Sequence, residues 1–72
     1  MTGFVGMIRL NGEPRALTAV TVAALLAELG VQPERKGVAV ARNGAVVPRS
    51  AWPEAPLADG DEIDIIHPAA GG

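Results

Sequence analysis

One stretch, "VTVAALLAELGV", limits what this chain can become, because it repeats apolar residues at helical spacing along a single side. Val22, Leu25, Leu26 and Leu29 stand at i, i+3, i+4 and i+7, the signature of an amphipathic helix. Thr21 supplies an N-cap, and Val20 is placed to pack on Leu25 as a hydrophobic staple. Gly30 supplies the left-handed residue that ends the helix, with Val31 folding back on Leu26. A helix with one apolar stripe needs a sheet face to cover, and the flanking segments read as strands. "VGMIRLNGEPRALT" forms a hairpin around Asn11-Gly12, with Ile8 and Leu10 on one face and Met7 and Arg9 on the other. Pro14 cannot donate to a ladder and suits an edge strand. "VAVARNGAVVPR" forms a second hairpin around Asn43-Gly44, closed by Pro48, in which Val38 and Val40 alternate with alanines. An irregular loop follows, with turn signals at Trp52-Pro53, Ala55-Pro56 and Asp59-Gly60. "EIDIIH" is the last strand, with Ile63 and Ile65 facing in and Glu62 and Asp64 facing out.

Hairpin, helix, hairpin, loop and strand, in that order, predict an α+β, ubiquitin-like β-grasp fold. Its mixed sheet has four to five strands, with one helix packed across one face. The final strand is the richest in β-branched residues and is expected at the centre. Residues 1–67 are expected to form a single domain, in which 1–6 read as an extension, and residues 68–72 a flexible C-terminal tail.

Composition narrows the function. A 72-residue chain has room for one small core and for no enclosed pocket between domains. With aromatics at 3%, that core has to be built from Val, Leu, Ile and Ala. There is no cysteine, so neither disulfides nor thiolate chemistry are available. A formal net charge of −2 carries no footprint for nucleic acid. The N-terminus lacks the basic start and apolar run of a secretory signal, and no apolar stretch is long enough for a bilayer. A soluble, cytoplasmic protein is expected. Ser50 and His67 are the only residues of their types, which leaves no catalytic triad, and one histidine with scattered carboxylates makes a poor metal site.

Several residues read two ways. His67 is either a polar residue at a strand end or a partner contact. The cluster Asp59, Asp61, Glu62 and Asp64 lacks calcium-loop spacing, and is either a turn plus a solvated strand face or an acidic patch for a basic partner. Trp52 is either core packing or recognition, and "VVPR", ending in Arg49, is either a hairpin or a binding loop. Lys36 is the only lysine, a bias that genome composition explains or that would limit self-attack by an activated acyl group. Ile66 falls on the open face beside Ala39 or Ala41, as an ordinary exposed side chain or as a docking anchor just before the tail. The sequence then ends on "HPAAGG". Four residues beyond Pro68 reach roughly 14 Å, and Gly71 and Gly72 pass slots too narrow for any residue with a Cβ. A terminal carboxylate becomes reactive once it is adenylated. No ATP-binding motif is present, so that step belongs to another protein.

From about Met7 to Gly72 the chain resembles the ThiS family, the sulfur carriers of thiamin biosynthesis. The resemblance rests on "IRLNGEP", "TVAALLAELG", "VAVARNGAVVPRSAW", "PLADGDEIDII" and the terminal "GG". It implies a carrier that is not itself an enzyme and binds no cofactor. Gly72 would be adenylated by a ThiF-type enzyme at the expense of ATP, then converted to a thiocarboxylate with sulfur from a donor system. Thiazole synthase would take that sulfur. Pro68, Ala69, Ala70 and Gly71 would thread into the partner active sites, and Ile66 and His67 would dock. "MTGFVG" and Pro68 depart from the family pattern. The competing resemblances are a MoaD-like small subunit of molybdopterin synthase, which also ends in Gly-Gly, and a ubiquitin-like protein modifier. A plain interaction module with an incidental tail is the third alternative.

Overall fold

The computed structural model describes residues 6–67. Strand β1 (Met7–Leu10) turns through Asn11 and Gly12 into β2 (Glu13–Ala16), and helix α1 spans Val22–Leu29. Strands β3 (Ala39–Arg42) and β4 (Ala45–Val46) form the second hairpin, and β5 (Glu62–Ile66) closes the described chain. The sheet runs β2-β1-β5-β3-β4, with β1 and β5 parallel and the other neighbours antiparallel. The last strand is therefore central, as its β-branched composition predicts, and Pro14 lies on an edge strand.

Both hairpins turn at Asn-Gly pairs in which each residue has positive φ: 52° and 86° at Asn11 and Gly12, 53° and 85° at Asn43 and Gly44. These are the conformations that a two-residue hairpin turn requires. The asparagines also reach beyond their own hairpins. Asn11 N–H donates to Ile63 O at 2.8 Å, and its Oδ1 accepts from Ile65 N–H at 2.8 Å. On the other side of β5, Asn43 N–H donates to Glu62 O at 2.7 Å while its Oδ1 accepts from Glu62 N–H at 2.8 Å. The central strand is thus held between the turns of the two hairpins.

One face of the sheet is covered. Ile8, Val40, Ile63 and Ile65 point from the strands toward Val22, Leu25 and Leu26 of α1, and all of these are buried. Each such side chain contributes about 1.5–3 kcal/mol by leaving water. Leu29 and Val31 pack at the margin of this cluster. Gly30 has φ 75°, and the N–H groups of Gly30 and Val31 donate to Ala27 O and Leu26 O, ending the helix as its sequence predicts.

The helix start differs from expectation in one respect. Thr21 Oγ1 accepts from Ala24 N–H at 3.1 Å, as a cap should. Val20, however, is 76% exposed and does not staple onto Leu25. The loop after β4 explains this. A 3-10 turn at Arg49–Ala51 delivers Trp52 to the core, and the chain then runs back along the helix entrance. Val22 N–H donates to Ala55 O, Ala23 N–H donates to Trp52 O, and Val20 O accepts from Leu57 N–H. Two of the free N–H groups of the first helical turn are thus satisfied by that loop, and the third, that of Ala24, by Thr21. This pairing turns Val20 outward and leaves Ala19, Trp52 and Leu57 to fill the space. Trp52 is core, and its Nε1–H donates to Val47 O at 2.9 Å.

Gly6 ties the start of β1 to the turn before β5. Its O accepts from Leu17 N–H, and its neighbour Met7 donates to Asp59 Oδ1 at 2.8 Å and accepts from Gly60 N–H. A Cβ on Gly6 would stand 2.6 Å from Asp59 Oδ1, and the residue has φ of 142°. Gly6→Ala is expected to destabilise the fold by about 2 kcal/mol. A lower urea midpoint at unchanged slope would report it, and an unchanged midpoint would mean that the turn relaxes freely.

Candidate functional site

The face of the sheet opposite α1 is open, and register decides what it presents. Ile66 lies opposite Ala39, and Ala41 lies between Asp64 on one side and Val46 on the other. Ile66 and Val46 are 67% and 77% exposed. Together with the two alanines they form a small apolar patch at the end of β5. Glu62 and Asp64 are exposed on the same face, with Arg9 directly opposite Glu62 on β1. Of the two neighbours expected for Ile66, the structure selects Ala39.

Apolar alternation in the sequence does not by itself point to Val46. The signal was available, because a two-residue turn at Asn43-Gly44 pairs Arg42 with Ala45 and Ala41 with Val46. That register turns Val46 to the open face and leaves Val47 to pack at the margin of the core.

His67 follows Ile66 and is exposed. It shares a groove of about 360 Å³ with Leu29, Gly30, Val31, Gln32 and Arg35, at the C-terminal end of α1. Ile66 and His67 are therefore adjacent at the end of the described chain. Pro68, Ala69, Ala70, Gly71 and Gly72 lie outside the described residues.

The acidic cluster divides. Glu62 and Asp64 form the expected solvated strand face, but Asp61 is only 7% exposed. Asp61 accepts from Arg42 Nε at 2.8 Å, from Asn43 Nδ2 at 3.1 Å and from Ala58 N–H at 2.8 Å. It is a structural carboxylate that joins the second hairpin to the start of β5. Burial pushes the Asp61 carboxyl up, but the hydrogen bonds from Arg42, Asn43 and Ala58, with the Arg42 charge, outweigh it. The pKa is held below its ordinary value of 3.8. Among the described residues no group of three or more His, Asp or Glu side chains could hold a metal ion. No helix among them is long and apolar enough to cross a membrane.

The apolar patch thus stands at the end of the last described strand of a five-stranded sheet, and the sequence beyond it ends in Gly-Gly. Residues 8–72 match the ThiS family model. The chain belongs to the ThiS family. The sulfur carrier protein ThiS of Thermus thermophilus is 42% identical over 66 residues, spanning 92% of this chain and 100% of its own. A crystal structure of the thiamine biosynthesis protein ThiS from Geobacter metallireducens superposes with a TM-score of 0.73 at 29% identity, covering 92% of this chain and 99% of its own. Family membership and the observed sheet agree with the β-grasp fold expected from the element order.

Two larger relatives share the same segment. The thiazole synthase of Paramagnetospirillum magneticum is 44% identical over 64 residues, covering 88% of this chain but 19% of that protein. The thiazole synthase of Magnetococcus marinus is 44% identical over 66 residues, covering 90% of this chain and 20% of its own. This chain therefore corresponds to about a fifth of either enzyme.

The depressed Asp61 pKa has a pH consequence. Its folded value lies below the unfolded one, so its stabilising contribution is complete above about 3.8 and is lost as pH falls through the folded value. Asp61→Asn is expected to cost about 1–3 kcal/mol at neutral pH. It should also flatten the fall of stability in acid. Parallel acid curves for the two proteins in urea titrations would contradict this role.

Proposed function

We propose that this chain is a sulfur carrier of thiamin biosynthesis, acting through the carboxylate of Gly72. The observation that carries the reading is the family match, which runs through the Gly71-Gly72 ending on a body with no catalytic constellation among its described residues. A carboxylate oxygen of Gly72 attacks the α-phosphorus of ATP in a ThiF-type enzyme, and pyrophosphate leaves. A sulfur nucleophile from the donor system then attacks the glycyl carbonyl, and AMP leaves. When that nucleophile is sulfide the product is directly a terminal thiocarboxylate. When it is a persulfide the product is an acyl disulfide, and a thiol cleaves it to the thiocarboxylate as it forms a disulfide with the donor.

Such a group is anionic at neutral pH and supplies nucleophilic sulfur from a chain that has no cysteine. Its acceptor is thiazole synthase, and the two thiazole synthases that share this segment support that choice. The protein is then a co-substrate of its partner enzymes, with ATP consumed by the first of them, and its place is the cytoplasm. The similarity to a curated ThiS along that relative's whole length favours this reading over a molybdopterin synthase subunit or a protein modifier.

The body's part is to present the tail. Pro68, Ala69, Ala70 and Gly71 lead Gly72 into the partner's active site, where residues without bulk suit a narrow channel. Ile66 and His67 meet the partner at the mouth of that channel. Ile66 is exposed on a strand whose backbone is held on both sides, so docking there requires little ordering.

Intact-mass spectrometry tests the chemistry after incubation with the ThiF-type enzyme, ATP and a sulfide source. The expected shift is one oxygen replaced by sulfur, localised to the C-terminal peptide. Deleting Gly72 should abolish the shift while the unfolding midpoint stays within about 0.5 kcal/mol of wild type. An unmodified wild type, with an enzyme active on another carrier, would overturn the proposal. Ile66→Asp should weaken binding to the adenylating enzyme about tenfold or more, with stability changed by less than about 0.5 kcal/mol. Unchanged affinity in a titration would remove Ile66 from the interface.

A further inference from the structure

The cations of this chain are sorted by position. Arg15 pairs with Glu28 at 3.5 Å and Arg42 with Asp61 at 2.8 Å. Arg9 faces Glu62 across the open sheet and donates to Gly12 O. Arg35, Lys36 and Arg49 have no carboxylate partner among the described residues; the first two lie on the connection after α1, and Arg49 reaches that connection from the loop after β4. Glu34 lies on the same connection without an ion pair among the described residues.

Arg49 is exposed yet held. Its guanidinium carbon stands 4.7 Å from the centroid of the Trp52 ring, and Nη2 donates to Arg35 O at 3.2 Å. The remaining N–H groups of the fork are left for another acceptor. Beside it is an apolar hollow of about 220 Å³, lined by Ala23, Pro33, Trp52 and Pro53 as well as by Arg49 and Glu34. Arg35 in turn lines the groove that reaches His67, the last described residue before the tail.

We propose that Arg49 and Arg35, with Lys36 beside them, form a second docking point, which receives a carboxylate-bearing segment of the enzyme that activates the tail. An acidic side chain of that enzyme meets the guanidinium fork, and an apolar neighbour enters the hollow over Trp52. The inference rests on the reading that a separate enzyme takes up Gly72. Position and charge carry it. An enzyme that swallows the tail has to close over the end of the body where His67 and Arg35 share a groove. A body of net charge −2 repels an acidic surface unless its unpaired cations face that surface. The planar guanidinium matches a carboxylate in two parallel bonds, and its contact with the Trp52 ring and its bond to Arg35 O hold it in place beforehand. This surface is built from the connection after α1 and the loop that carries Trp52, whereas the patch formed by Ile66 and Val46 lies on the open sheet face. It also gives a role to the "VVPR" segment that tail chemistry leaves unexplained.

Stopped-flow association with the ThiF-type enzyme, at low and at high salt, tests the proposal on the full chain. Arg49→Gln is expected to lower the association rate constant roughly five- to tenfold at low salt and to flatten its salt dependence. In the adenylation assay the loss should fall on KM rather than on kcat. Arg49→Gln also removes the contact with Trp52, so Lys36→Glu is measured beside it. The Lys36 side chain makes no hydrogen bond or ion pair among the described residues, and its reversal should act in the same direction with the unfolding midpoint unchanged. Unaltered rates and salt slopes in both variants, with wild type adenylated normally, would overturn the docking point alone. Failure of wild type to be adenylated would instead overturn the functional reading, and the docking point with it.

Discussion

The central strand cannot leave without breaking bonds from both hairpins. Asn11 and Asn43 occupy the positive-φ positions of two separate turns, and each directs its side-chain oxygen to an N–H of β5. A turn residue chosen for its backbone conformation thus does a second job as an acceptor between strands. Asp61 adds a third fixture at the start of β5, joining Arg42 and Asn43 to the chain that enters the strand. With β5 held there, Ile63 and Ile65 must face α1, and Ile66 must face away. The apolar patch at the end of β5 follows from the same constraint that builds the core.

The loop between β4 and β5 is the second organising element. It crosses the entrance of α1, takes two of the helix's free N–H groups on its carbonyls, and brings Trp52 into the core. In a domain with few aromatics, one buried Trp supplies a large share of the contact area. The helix entrance, Trp52 and Arg49 are therefore one assembly, and a surface cation acquires a fixed geometry because of core packing beneath it.

On the proposed reading this arrangement divides labour. The body would supply recognition surfaces on a strand held on both sides, and the chemistry would fall on Gly72 and be imposed by the partner. A carrier that meets two enzymes in turn would find two sets of contacts, one on the open sheet face and one around Arg49.

Much of this was legible in the residues themselves. The helix, both Asn-Gly hairpins, the inward alternation of β5 and the Gly-Gly ending are local patterns. Each depends on side chains a few positions apart, which backbone geometry alone relates. The central place of β5 was legible as well, through its β-branched content. What the sequence could not decide was every feature made by residues far apart in the chain. Val20 reads as a staple, but the loop carrying Ala55 and Leu57 turns it outward. Asp61 reads as part of a turn beside a solvated strand face or of an acidic patch, yet Arg42, Asn43 and Ala58 converge on it. The ring that fixes Arg49 and the groove shared by Arg35 and His67 also exist only after the chain has folded back on itself. Local spacing determined which elements form and which way their side chains alternate. Long-range packing decided which charges are buried, which apolar residues stay exposed, and so what a partner can touch. The physical reason is that these contacts are made across the sheet and between distant loops, where no short-range periodicity records them.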